Sequence, residues 1–131
     1  MPGVYEALNA GIKFQVNETR SKLAANVLMP SRLHLLLFID GRLLSAFMRD
    51  FKKYTAQKVL PEICGSRRIW QFRYDRQVIW SEDIFLTKMS YIHDNPVKAE
   101  LVSRPEDWVW SSAADYMECR KGPLDVWMEW H

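Results

Sequence analysis

The segment Tyr91–Leu101, YIHDNPVKAEL, sets the frame for the whole chain. Ser81 upstream is a suitable N-cap, Glu82 and Asp83 suit the positive first turn of a helix, and Pro96 is expected to stop it. A helix over roughly Glu82 to Asp94 follows. At about 100° per residue, Ile84, Lys88, Tyr91 and Asn95 fall in one stripe, and Phe85, Met89 and Ile92 form the apolar face beside it. The Tyr91 hydroxyl can then point away from the core, with Lys88 one turn before it and Asn95 one turn after. His93 falls nearly opposite and is a poor candidate for the same site. From pattern alone, such a tyrosine is most often a boundary residue with a buried ring and a wet hydroxyl.

Outward from this helix, length and composition limit the possibilities. The chain has 131 residues, 48% hydrophobic and 26% charged, which fits one globular domain spanning 1–131 with a tail at about 118–131. No run approaches the ~20 apolar residues of a membrane span, and MPGVYEALNAG lacks the marks of a secretory signal. Cys64 and Cys119 have no metal-ligand spacing, so free thiols in a reduced cytoplasm are the expectation, with a disulfide between them left open.

Charge is distributed unevenly behind a net value of +2. Between Arg42 and Arg76 lie nine basic residues (Arg42, Arg49, Lys52, Lys53, Lys58, Arg67, Arg68, Arg73 and Arg76) against three acids, whereas from Glu106 onward six acids meet two bases. A basic middle and an acidic end suit a polyanion-binding surface, and equally an ordinary solvated face.

Val4 to Phe14 reads as an amphipathic helix and Asn17 to Ser21 as a turn. Two strands follow: Lys22 to Met29, then Arg32 to Ile39, separated at Met29-Pro30-Ser31. Alternation puts Arg32, His34, Leu36 and Phe38 on one face, and Leu33, Leu35, Leu37 and Ile39 on the other. A long helix from Leu43 to about Leu60 buries Leu44, Phe47, Met48, Phe51 and Thr55, and presents Arg49, Lys52 and Lys53 as a basic ridge. Next comes RRIWQFRYDRQVIW, a strand or hairpin in which Trp70, Phe72, Tyr74 and Trp80 alternate with Arg67, Arg68, Arg73 and Arg76. Rings spaced between cations suit stacking on unpaired bases, although Trp70 and Phe72 suit a core as well. A short helix near Ser111 to Met117 and an irregular tail complete the chain, with Trp108, Trp110, Tyr116 and Trp127 placed to clamp that tail.

The ordered strings LMPSRLHLLLF, FKKYTAQK, WQF, YIHDNPVKAELV and PEDWVWSSAADY resemble the REP-associated tyrosine transposases, within the HUH-type single-tyrosine transposases. The resemblance runs from about Leu28 to Tyr116. It implies an α+β, ferredoxin-like antiparallel sheet with helices packed on it, in a homodimer that acts on single-stranded or hairpin DNA. Because this chain opens almost directly in helix, the first strand of that fold is expected to be missing or supplied otherwise. The implied reaction is nicking and rejoining through a 5′-phosphotyrosine, with a divalent metal (Mg or Mn) and no nucleotide cofactor.

Carried over by position, the resemblance makes Tyr91 the nucleophile and His34 and Asn95 metal ligands. Asp94 is nearby, and Arg32 stands where the first histidine of the pair is usual. A guanidinium cannot ligate a metal and repels one, so ion binding should be weak. Arg32, Arg49, Lys52, Lys53, Arg67, Arg68, Trp70, Arg73, Arg76 and Lys88 are then the candidate DNA-binding residues. The family's usual glycine after NPVKA is Glu100 here, which strains any position requiring positive φ. Two readings follow: a transposase that nicks and rejoins DNA, or an inactive relative that only binds it.

Overall fold

The computed structural model describes residues 3–30, 32–58 and 77–130. Helix α1 (Val4–Glu18) leads into strands β1 (Lys22–Leu28) and β2 (Leu33–Phe38), followed by helices α2 (Gly41–Lys58), α3 (Glu82–Lys98) and α4 (Ala113–Met117). The architecture is α+β, with an antiparallel two-stranded sheet among the described residues. Arg67, Arg68, Trp70, Phe72, Arg73, Tyr74 and Arg76, with the strand or hairpin expected there, lie outside the described residues.

Met29 and Arg32 close the β1–β2 hairpin through backbone hydrogen bonds of 2.7 and 3.4 Å. The register pairs Val27 with His34 and Leu28 with Leu33, and a bulge lies between Leu23 and Ala25. Alternation in β2 sorts its side chains as expected. Leu33, Leu35 and Leu37 pack into a core with Leu8 and Ile12 of α1 and Phe51 of α2. Leu36 packs on the other face with Phe85, Met89 and Ile92 of α3. The sheet therefore separates α1 and α2 from α3, and burial of both faces by apolar side chains supplies the main driving force.

β1 is bordered on both sides. Opposite β2, the Leu28 N–H donates to the Trp110 carbonyl (2.8 Å), the Ser112 N–H to the Asn26 carbonyl (3.0 Å), and the Trp127 N–H to the Leu23 carbonyl (2.8 Å). The C-terminal residues thus line the edge of β1, and Leu124 enters the α1 core. Trp127 meets Phe38 edge-on at 5.1 Å, and Trp130 packs on Phe85 at 4.5 Å. Cys119 is a free, exposed thiol.

Several boundaries differ from expectation. α1 runs four residues past Phe14, absorbing Asn17 and Glu18; the Ser21 N–H then bonds the Val16 carbonyl at 3.1 Å. α2 starts at Gly41 rather than Leu43. Most consequentially, α3 passes through Pro96 and ends at Lys98. Proline lacks one N–H, which forfeits a single rung of the helical ladder, and the Ala99 N–H resumes bonding to the Asn95 carbonyl at 2.9 Å. No helix among the described residues is long and apolar enough to cross a membrane.

The end of α3 explains the burden on Glu100. The Leu101 N–H donates to the Pro96 carbonyl and the Glu100 N–H to the Val97 carbonyl, both at 2.9 Å. This double closure places the residue after the C-cap in the left-handed region, and Glu100 has φ of +60°. A side chain therefore occupies a backbone conformation that glycine adopts without a Cβ penalty.

Candidate active site around Tyr91

α3 starts where its sequence says it should. The Ser81 hydroxyl accepts the Ile84 N–H at 3.2 Å, and Glu82 and Asp83 sit in the first turn. Phe85, Met89 and Ile92 are buried against the sheet. This rotation leaves Tyr91 on the flank of the helix, 43% exposed.

β2 brings His34 to the same place. The imidazole meets the Tyr91 ring edge-on, with centroids 5.7 Å apart. Burial, and then the positive charge of Arg32, lower the His34 pKa, so the ring is neutral at neutral pH. His34 Nε2 is buried without a hydrogen-bond partner.

Asn95 lies one turn after Tyr91 as expected, but it is buried, only 7% exposed, and its Nδ2 has no partner. Two buried nitrogens with unmet bonding capacity thus lie in the side chain that meets the Tyr91 ring and in the one that follows it by a helical turn. Native interiors rarely leave such groups unpaired, and they mark places where a ligand or water can bond.

Lys98 was not anticipated. Its Nζ lies 5.4 Å from the centre of the Tyr91 ring, within cation–π range. The signal was present in the sequence, because Tyr91, Asn95 and Lys98 continue one stripe at i, i+4 and i+7. A helix ended at Pro96 hides it; a helix carried through to Lys98 reveals it. Lys88, on the preceding turn, is half-buried.

His93 is well separated in role. It is 4% exposed, and its Nε2 lies 2.7 Å from the Ser112 Oγ. Burial pushes its pKa down to about 4, against the opposing charge of Asp94. Its work is to hold α3 to the segment beside β1.

The basic ridge on α2 is partly realised. Arg49 and Lys53 are exposed, and Arg49 pairs with its neighbour Asp50 at 3.1 Å. Lys52 is half-buried. Near the start of α3, Trp80 is 85% exposed, a bare indole on the surface.

The donor set is a poor match for a divalent cation. Among the described residues no group of three or more His, Cys, Asp and Glu side chains is placed to hold a metal. The ligands that the resemblance assigns beside Tyr91 are one imidazole and one carboxamide, and the Arg32 charge reaches His34. Hard divalent ions prefer several oxygen ligands, carboxylates above all, and a fixed cation opposes their binding.

No protein-family model matches the chain, and no curated protein matches it. A solved structure does: a REP-associated tyrosine transposase bound to a REP hairpin, with a TM-score of 0.71 and 24% sequence identity, covering 95% of this chain and 76% of that chain. The chain has the α+β fold of that transposase.

Proposed function

We propose that this protein binds single-stranded or hairpin DNA and that Tyr91 is the nucleophile of a strand-nicking and rejoining reaction. The observation that supports the reading is the edge-on contact of the exposed Tyr91 with the His34 ring at 5.7 Å, with Asn95 one helical turn further on and both His34 Nε2 and Asn95 Nδ2 buried without a partner. Likeness in fold to a hairpin-bound transposase supports the choice of DNA as the partner.

In the proposed step, Tyr91 Oη attacks the phosphorus of a phosphodiester. A phenolic O–P bond forms, the bond from phosphorus to the 3′ oxygen breaks, and the phosphate stays on Tyr91 through its 5′ side. The phenolic proton passes to water and the departing 3′ oxygen takes one up. One phosphoester replaces another, so no nucleotide cofactor is required, and attack by a 3′-hydroxyl reverses the step. Trp80, near the start of α3, would engage the flanking strand by stacking, whereas Arg49 and Lys53, on α2 across the sheet, would meet only DNA that passes round to that face. Arg67, Arg68, Trp70, Arg73 and Arg76, outside the described residues, are proposed as further DNA contacts on their residue types alone. A homodimer goes with this reading and is measured by light scattering.

A second reading is favoured by one observation, the Arg32 charge beside His34. If cleavage depends on a metal there, the protein binds DNA without cutting it. Labelled single-stranded and hairpin oligonucleotides, incubated with Mg²⁺, Mn²⁺ or EDTA, separate the two. A denaturation-resistant protein–DNA adduct that disappears in Tyr91→Phe supports the nucleophile. Salt-sensitive binding with no adduct under any condition supports the binding module.

A further inference from the structure

We infer that the patch beside Tyr91 is a direct anion site, in which Arg32, on the His34 side of that tyrosine, holds the oxygens of a DNA phosphodiester without a bridging divalent ion. The inference rests on the functional reading above and deepens it by assigning the phosphate-holding group.

Hydrogen-bonding capacity points this way first. The unpartnered atom of Asn95 is Nδ2, a donor, in a side chain more than nine-tenths buried. That NH₂ group has no lone pair to offer a metal, and solvent does not reach it. His34 Nε2 is the second unpartnered atom and is sealed in the same way, so neither nitrogen is placed to take up an ion from solution.

Charge agrees. Arg32 is exposed at the start of β2, and its guanidinium makes no ion pair with a described residue. Lys98 lies over the Tyr91 ring, and Lys88 is one turn before it on the same stripe. The nearest acid on α3 is Asp94, whose charge acts on His93. A guanidinium binds phosphate through two parallel N–H···O bonds, and this planar fork both neutralises and orients it. Arg32 would therefore supply at the phosphate the positive charge that an ion would otherwise bring.

Fluorescence anisotropy with a labelled single-stranded or hairpin oligonucleotide tests this on the full chain. In wild type, affinity in EDTA should match that in Mg²⁺ or Mn²⁺ at equal ionic strength. Arg32→Gln should weaken binding by about tenfold in both conditions, with Arg32→Lys intermediate, as expected for one charge-assisted contact. A walk of single methylphosphonate linkages, which remove one phosphate charge each, adds a readout that a structural role would not move. One linkage should cost affinity in wild type and lose that cost in Arg32→Gln.

Wild-type binding that rises tenfold or more with Mn²⁺, or Arg32→Gln binding and methylphosphonate profiles equal to wild type, would overturn the anion site while leaving DNA binding intact. Absence of any salt-sensitive DNA affinity would sink the functional reading itself, and this inference with it.

Discussion

His93 Nε2 and Ser112 Oγ lie 2.7 Å apart, joining the middle of α3 to the segment that runs along β1. The same hydroxyl accepts the Asn26 N–H at 3.0 Å and lies 3.3 Å from the Asn26 carbonyl. YIHDNP and WSSA thus meet in space through a histidine and a serine. That contact fixes the rotation of α3, and with it the position of Tyr91 two residues away.

Acid should loosen this joint. The His93 pKa falls from an ordinary 6.5 to about 4 in the folded protein. Between those values the unfolded chain binds the proton and the folded one resists it. Stability is therefore full above pH 6.5 and is lost as pH falls toward 4, by up to about 3 kcal/mol. The lowered pKa of His34 acts in the same direction. Urea unfolding at pH 7 and pH 4.5 should show the loss, and His93→Gln should show a smaller one. An equal pH slope in both proteins would remove His93 as its source.

Ser112→Ala removes one hydroxyl and leaves two buried groups without their partner, His93 Nε2 and the Asn26 N–H. The expected cost is about 2 kcal/mol, because the penalty is that of unsatisfied burial rather than of one exchanged bond. A change below about 0.5 kcal/mol in chemical denaturation would mean that water replaces the hydroxyl.

Glu100→Gly should stabilise the protein. Glu100 holds φ of +60° within the closure at the end of α3, and glycine relieves the Cβ penalty. The gain should be about 0.5–1 kcal/mol, reduced from the full left-handed cost by the freedom glycine adds to the unfolded chain. A rise in Tm is the readout.

Gly11→Ala should do the opposite of what helix propensity favours. A Cβ there would lie 2.7 Å from Tyr54 Cδ1 and 3.1 Å from Phe51 Cε1, at the contact of α1 with α2. Alanine gains about 1 kcal/mol in a helix interior, but forcing an atom against the half-buried Tyr54 ring, with the buried Phe51 behind it, costs about 1–3 kcal/mol. A net loss is expected, partly recovered when Tyr54→Ala is added.

Salt dependence tests the α2 ridge. If Arg49 and Lys53 each neutralise one phosphate, the double alanine variant should lower the slope of log affinity against log salt by about 1.4 for single strands. An unchanged slope would move the DNA path off α2.

Much of this arrangement was legible in local pattern. Ser81 caps α3 as read, two-residue alternation in β2 puts Leu35 and Leu36 in opposite cores, and the four-residue spacing sets Tyr91 and Asn95 one turn apart. These are properties of a short stretch of backbone, where sterics and periodicity act over a few residues. The strain at Glu100 was legible only through the resemblance, which expects a glycine there, and the fold supplies the positive φ.

Tertiary closure decided the rest. Pro96 could not be known to lie inside a helix until packing on the sheet outweighed one lost hydrogen bond, and Lys98 was invisible beside Tyr91 for that reason. Nor does periodicity reveal that Asn95 is buried or that His93 bonds Ser112, nineteen residues away. Such pairings depend on how separate elements close over one another. The free energy of burial selects that closure across the whole chain, and no local stretch carries it alone.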